Sequence, residues 1–247
     1  DERLFATPAI ALVKSEELTK RMAADAELNF SGALALLENY SDEDFAEVQR
    51  MEGVIDRYED ILGTYLVKLS ALKISENDSS EAAMLLKTLS DFERIGDHAL
   101  NLVESAEELK SKNLALSDAA RYELSVLLRA VEEIVDMTFR AFRDDDLEKA
   151  YRVEPLEQVI DDLKEKMRIH HILRMQQGSC SIESGFVWSD LLTALERVGD
   201  HCSNIAGCII DLHHHNMNTH EAIRSARMEN ENFDDEYKAY AVKYSLK

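Results

Sequence analysis

Residues 93–98 read Glu93-Arg94-Ile95-Gly96-Asp97-His98, and residues 196–201 repeat them as Glu196-Arg197-Val198-Gly199-Asp200-His201. On a helix, Glu and Asp four positions apart lie one turn apart on the same face. Two carboxylates stacked in this way repel by a few tenths of a kcal/mol when exposed, and by more when buried, so the repetition asks for a cation between them. The same Glu-x-x-x-Asp spacing recurs as Glu52 to Asp56 and as Glu157 to Asp161. The first two motifs lie 103 residues apart and the other two 105 apart, a difference that one loop adjustment absorbs. A single pair among 49 acidic residues means little, but four in register with an internal repeat are hard to attribute to chance.

Oxygen donors suit Mg²⁺, Mn²⁺ or Ca²⁺, and carboxylates also bridge iron or zinc in clusters of several ions. One-turn spacing suits bridging better than a single tight cage. The candidate ligands are Glu52, Asp56, Glu93 and Asp97 in one half, and Glu157, Asp161, Glu196 and Asp200 in the other. His98 and His201 adjoin the aspartates, roughly 100° round the helix. Outer ligation, a hydrogen bond that orients a carboxylate, and plain packing are all open to them. Arg94 and Arg197 read as ion-pair partners of nearby acids. Gly53 and Pro155 are unusual inside helices and can shift the register of Glu52 and Glu157.

Helical periodicity supplies the elements that must carry these groups. A first helix is expected from about Ala11 to Tyr40, with Leu18, Met22, Leu28, Leu34 and Leu37 inward. Ser41 caps a second, which turns Phe45, Val48, Met51, Ile55, Leu62, Leu66 and Leu69 inward. A turn at Asn77-Asp78-Ser79-Ser80 precedes a third, whose inner face holds Leu85, Leu89, Phe92, Ala99, Val103 and Ala106. Ser117 caps a fourth. Asp144-Asp145-Asp146 opens a fifth, where Pro155 predicts a kink or a delayed start, and the sixth runs from about Ile182 to Leu212. Antiparallel packing of the second and third helix of each half brings four carboxylates together. The fold expected is all-α: two tandem three-helix bundles related by internal duplication, residues 1–113 and 114–215, then a helical tail, residues 216–247. Within the tail, Thr219 is expected to cap a short helix to about Met228. Phe233, Tyr237, Tyr240 and Tyr244 form an aromatic stripe that should dock on the bundle.

Composition narrows the function classes. Of the 247 residues, only two are proline and eight glycine, and 45% are hydrophobic, as long helices require. A net charge of −21 leaves no basic surface to displace phosphate counterions, which argues against nucleic acid and against anionic membrane surface. It suits cations or a basic partner. No run of about 18 apolar residues is present, so this chain is not expected to insert into a bilayer. Cys180, Cys202 and Cys208 form no C-x-x-C, which fits a reducing compartment; Cys202 and Cys208 read as buried thiols. The start at Asp1, without Met, reads as a fragment of a longer chain. No Glu-x-x-His di-iron signature, P-loop, Gly-x-Ser-x-Gly or His-Glu-x-x-His occurs, so an enzyme is not expected.

The doubled E-R-[IV]-G-D-H, with its E-x-x-x-D partner on the preceding helix, resembles the PhoU family of phosphate-response regulators over essentially the whole chain. Asp1-Glu2-Arg3 with Thr7-Pro8-Ala9, Asp200-His201-Cys202-Ser203-Asn204-Ile205-Ala206, and the Tyr237 to Tyr244 ending are similar to the C-terminal PhoU-like domain of bacterial Na⁺/phosphate cotransporter family proteins. The resemblance implies duplicated three-helix bundles whose acids, the eight named above, hold multinuclear metal clusters of iron, zinc or manganese. It further implies a cytoplasmic domain tethered to the membrane through a transport domain of the same polypeptide, regulating phosphate transport, with homo-oligomers possible. The other reading is a metal-free helical adaptor whose acids form a solvated face.

Overall fold

Five of the six long helices begin with one device. The side chain of Ser41, Ser75, Ser117, Asp146 or Ser181 accepts a hydrogen bond from the backbone N–H three residues on, at 3.0–3.2 Å. Each such cap satisfies one of the N–H groups that a helix start leaves unpaired. The helices are α1 (Pro8–Glu38), α2 (Asp42–Ser70), α3 (Glu76–Ser111), α4 (Asp118–Asp144), α5 (Leu147–Gln176), α6 (Ile182–His213) and α7 (Phe233–Lys243). The structure, a computed structural model, describes residues 2–214 and 233–246, and among these no strand occurs. The short helix expected from Thr219 to Met228 lies outside the described residues.

Four expectations need correction. The first helix starts at Pro8, whose fixed φ and missing N–H suit a first turn. Of the residues expected inward, Met22 is buried and Leu34 and Leu37 pack against the core, but Leu18 and Leu28 are exposed. The buried stripe is Ala11, Ser15, Thr19, Met22, Ala26, Phe30 and Ala33, mostly small residues that let α1 lie close against both α3 and α4. The third helix is capped by Ser75 rather than within Asn77–Ser80. In α5, Pro155 delays nothing: the helix begins eight residues earlier and runs through the proline, whose ring is buried.

The rest follows the periodicity. Val48, Ile55, Leu62, Leu66 and Leu69 are buried on α2, as are Leu85, Leu89, Phe92, Ala99 and Val103 on α3. One apolar core runs through both halves. Phe92 of α3 meets Phe139 and Phe142 of α4 edge-on at 5.1 and 4.9 Å, and α3 packs along α6. The two three-helix repeats are thus joined by the helices that carry the doubled motif. The tail helix docks as expected, with Phe233, Tyr240 and Tyr244 buried.

Candidate metal centre

In each repeat a glycine of the motif lies where the acid-bearing helices touch, and an added Cβ would be in van der Waals contact. A Cβ on Gly96 would sit 3.4 Å from Cδ1 and Cγ2 of Ile55, and one on Gly199 3.6 Å from Cγ2 of Ile160. Ile55 and Ile160 lie one residue before Asp56 and Asp161, so the glycine of one helix faces the acid pair of its neighbour.

The second repeat brings its acids together. Glu157 and Asp161 of α5 and Asp200 of α6 each offer an oxygen, and these oxygens lie within 4.8 Å of one another. Glu196 stands beside them: Oε1 takes an ion pair from Lys164 at 2.8 Å, while Oε2 is buried without a hydrogen bond, 3.8 Å from Nε of Arg197. Burial first, then Glu154, Asp161, Asp200 and Glu196, pushes the Glu157 carboxyl up to about 8. Asp161 is raised by burial and by Glu196 and Asp200, partly offset by Lys164. Asp200 is raised by burial and Glu196, with Arg197 opposing. Glu157, Asp161 and Asp200 are thus each held above the ordinary carboxyl range, with negative neighbours adding to desolvation.

The first repeat is built alike but more loosely. Burial and Asp97 push the Glu93 carboxyl up to about 7, against Arg94 and with help from Glu59 and Asp56. Glu52 is raised by burial, Asp97 and Asp56. Among the described residues, no trio of this repeat converges as Glu157, Asp161 and Asp200 do. Arg94 reaches Glu93 at 3.5 Å and Asp97 at 3.0 Å, and Arg197 holds Asp200 at 3.1 Å, so both arginines pair with acids as expected.

His98 and His201 meet each other across the junction of the repeats, stacked with ring centroids 5.6 Å apart. Nδ1 of His201 lies 2.9 Å from Asp91, which also accepts from Asn204 at 3.2 Å, and His98 pairs with Asn101 at 3.3 Å. Burial and the facing His201 hold the His98 imidazole down at about 4, hence neutral at pH 7. Cys202 and Cys208 are buried, and burial pushes the Cys202 thiol up to about 12.

Sequence reasoning missed three members of the acid clusters. Glu59 sits one turn beyond Asp56, on the same face, and the heptad spacing from Glu52 marks it. Lys164 occupies the matching place in the second repeat, 105 residues on. Glu154, which accepts from Ser203 at 2.6 Å, has no acidic counterpart in the first repeat, where Gln49 stands. Elsewhere the chain shows how it keeps a buried acid matched: Glu123 receives Arg174 at 3.1 and 3.0 Å and His170 at 2.7 Å.

The family description "PhoU domain" matches the chain twice, at residues 19–106 and 124–209, one match per repeat. The chain belongs to the PhoU family. It is similar to a curated relative described as phosphate-specific transport system accessory protein PhoU homolog 1 of Thermotoga maritima, with 31% identity over 51% of this chain and 53% of the relative. The chain thus spans about half the length of that relative. A PhoU homolog of Deinococcus radiodurans is 27% identical over 65% of this chain and 74% of its own length. In fold, the chain is similar to the crystal structure of PhoU from Pseudomonas aeruginosa, with a TM-score of 0.78 at 21% identity, covering 84% of this chain and 99% of that one. The phosphate transport system regulatory protein PhoU from Streptococcus pneumoniae gives 0.75 at 19% identity, covering 86% and 99%.

Proposed function

We propose that this PhoU chain is a cation-binding regulatory module of phosphate transport rather than a catalyst. The observation that carries the cation is the second-repeat cluster: three carboxylates of two helices converge, and a buried oxygen of Glu196 beside them has no hydrogen bond. The donor set is all oxygen, which fits a hard or borderline ion such as Mn²⁺, Fe or Zn²⁺. Glu157, Asp161, Glu196 and Asp200 would hold it in one repeat, and Glu52, Asp56, Glu93 and Asp97 in the other, with Arg94 and Arg197 clamping the aspartates. Bound ions would offset the mutual repulsion of these carboxylates and would tie α2 to α3 and α5 to α6.

The transport role rests on family membership and on the accessory roles named for the relatives. The finer reading, the cytoplasmic part or partner of a sodium-dependent phosphate transporter, rests on the resemblance of the Asp200–Ala206 stretch and of the Tyr237 to Tyr244 ending; no described helix is long and apolar enough to cross a membrane. A metal-free adaptor is the second reading, favoured by Lys164, which already supplies one internal cation to Glu196. Elemental analysis of untagged protein purified without chelator separates the two. Stoichiometric metal that is reduced in Glu157→Ala supports the module; absence of metal, with melting unchanged by chelator, leaves the adaptor.

A further inference from the structure

The duplication relates α1 and α2 to α4 and α5, yet the two seams are treated differently. Over the α4–α5 seam lies α7, with Phe233, Tyr240 and Tyr244 buried, Glu236 paired to Arg152 at 3.3 Å, and the Tyr237 hydroxyl on Asp162. The α1–α2 seam holds two adjoining grooves of about 580 and 600 Å³. One is lined by Leu18, Gly53, Val54, Tyr58 and Ile61, and the other by Leu28, Asn29, Val48 and Met51. Large apolar side chains stand open to water there, with Ile61 63% and Leu28 67% exposed.

Two further features mark what belongs in this seam. Arg57 lines the first of these grooves and, among the described residues, makes no ion pair, in a chain of net charge −21. Its counterpart 105 residues on is Asp162, the acid that receives Tyr237. Where the second repeat presents an acceptor to a phenol, the first therefore presents a cation. Gly53 completes the opening, since a Cβ there would meet nothing within 4 Å.

We infer that the α1–α2 seam is the docking site for an amphipathic helix of a partner protein, with an aromatic or aliphatic stripe at i, i+4 and i+7 flanked by a carboxylate for Arg57. The α7 of a second copy is not that helix, because its own stripe is already seated on α4–α5. Such a helix buries its apolar face in the seam and gains orientation from Arg57.

The test uses a fluorescein-labelled peptide of residues 233–246 carrying Tyr237→Glu, titrated by anisotropy against the whole chain. Its tethered counterpart α7, at high effective concentration, keeps the α4–α5 seam closed to it. Saturable binding is expected, about tenfold weaker or worse for Arg57→Glu and for the groove-filling Gly53→Trp. Both positions are exposed, so both variants should melt as the parent does. Binding indifferent to both substitutions, or no saturable binding, overturns the inference. So does a dimer in sedimentation that Gly53→Trp dissociates, since a second copy would then be the occupant.

Discussion

The two acid clusters share a plan and differ in how far their charge is answered from within. In the second repeat Lys164 sits on Glu196, and Glu157, Asp161 and Asp200 converge. In the first, an acid, Glu59, stands where Lys164 would be, and the cluster is more open. A duplicated site has therefore kept its ligand spacing while its surroundings diverged. One repeat is preorganised and partly neutralised; the other is looser and more negative. Affinity can be built either way, because preorganisation reduces the ordering cost and net charge raises the Coulomb attraction.

Removing a ligand should have the largest effect. Glu157→Ala should abolish metal in the second repeat and leave the first loaded, and Glu93→Ala should do the reverse. Metal content per chain, read by elemental analysis, should fall to about half in each and to background in the pair. Equal loss in both repeats from either single variant would mean one shared site.

Crowding the helix pairs comes next. Leucine at Gly96 should cost about 1–3 kcal/mol by overpacking against Ile55. Gly199→Leu should cost less, because Ile160 leaves slightly more room. Urea denaturation gives both values, and the reverse order would contradict the placing of these glycines at the helix contact.

Exchanging the divergent residue should move affinity without removing a ligand. Lys164→Ala should tighten the second site by about tenfold, and Glu59→Lys should weaken the first by a similar factor, since a unit charge nearby is worth roughly 1 to 4 kcal/mol from water to protein surface. Calorimetric titration with Mn²⁺ reads both. No change in either would make Lys164 a bystander.

Metal-free stability should also depend on pH. Glu157 has its folded value raised from 4.5 to about 8 and Glu93 to about 7. The folded chain therefore holds protons that the unfolded chain gives up above about pH 4.5, so stability is full below that pH and falls as pH rises towards 8. Metal should reverse the trend, since binding displaces those protons and strengthens with pH. Thermal melts from pH 5 to pH 8, with and without Mn²⁺, show whether the slopes have opposite sign.

Much of this was legible in the sequence, because helix caps and repeated acid pairs are local signals. Ser41, Ser117 and the Asp146 start needed only their own side chains, and Glu-x-x-x-Asp needed only one turn of helix. What was not legible depends on neighbours. The inner face of α1 is mostly a stripe of small residues lying against α3 and α4, so the pattern found Met22, Leu34 and Leu37 but misplaced Leu18 and Leu28. Pro155 is carried inside α5 because the helix is well started at Asp146 and packed on both sides of the proline. The meeting of His98 with His201 requires knowing that α3 packs on α6, which no spacing within either repeat states.

The most direct test is calorimetric titration of chelator-treated chain with Mn²⁺ at pH 7, in buffers of different ionisation enthalpy, counting ions bound and protons released. Saturable binding in both repeats with net proton release is expected, reduced in Glu157→Gln and Glu93→Gln. Absence of binding, or binding with no proton release, would overturn the reading that these clustered acids wait on a cation.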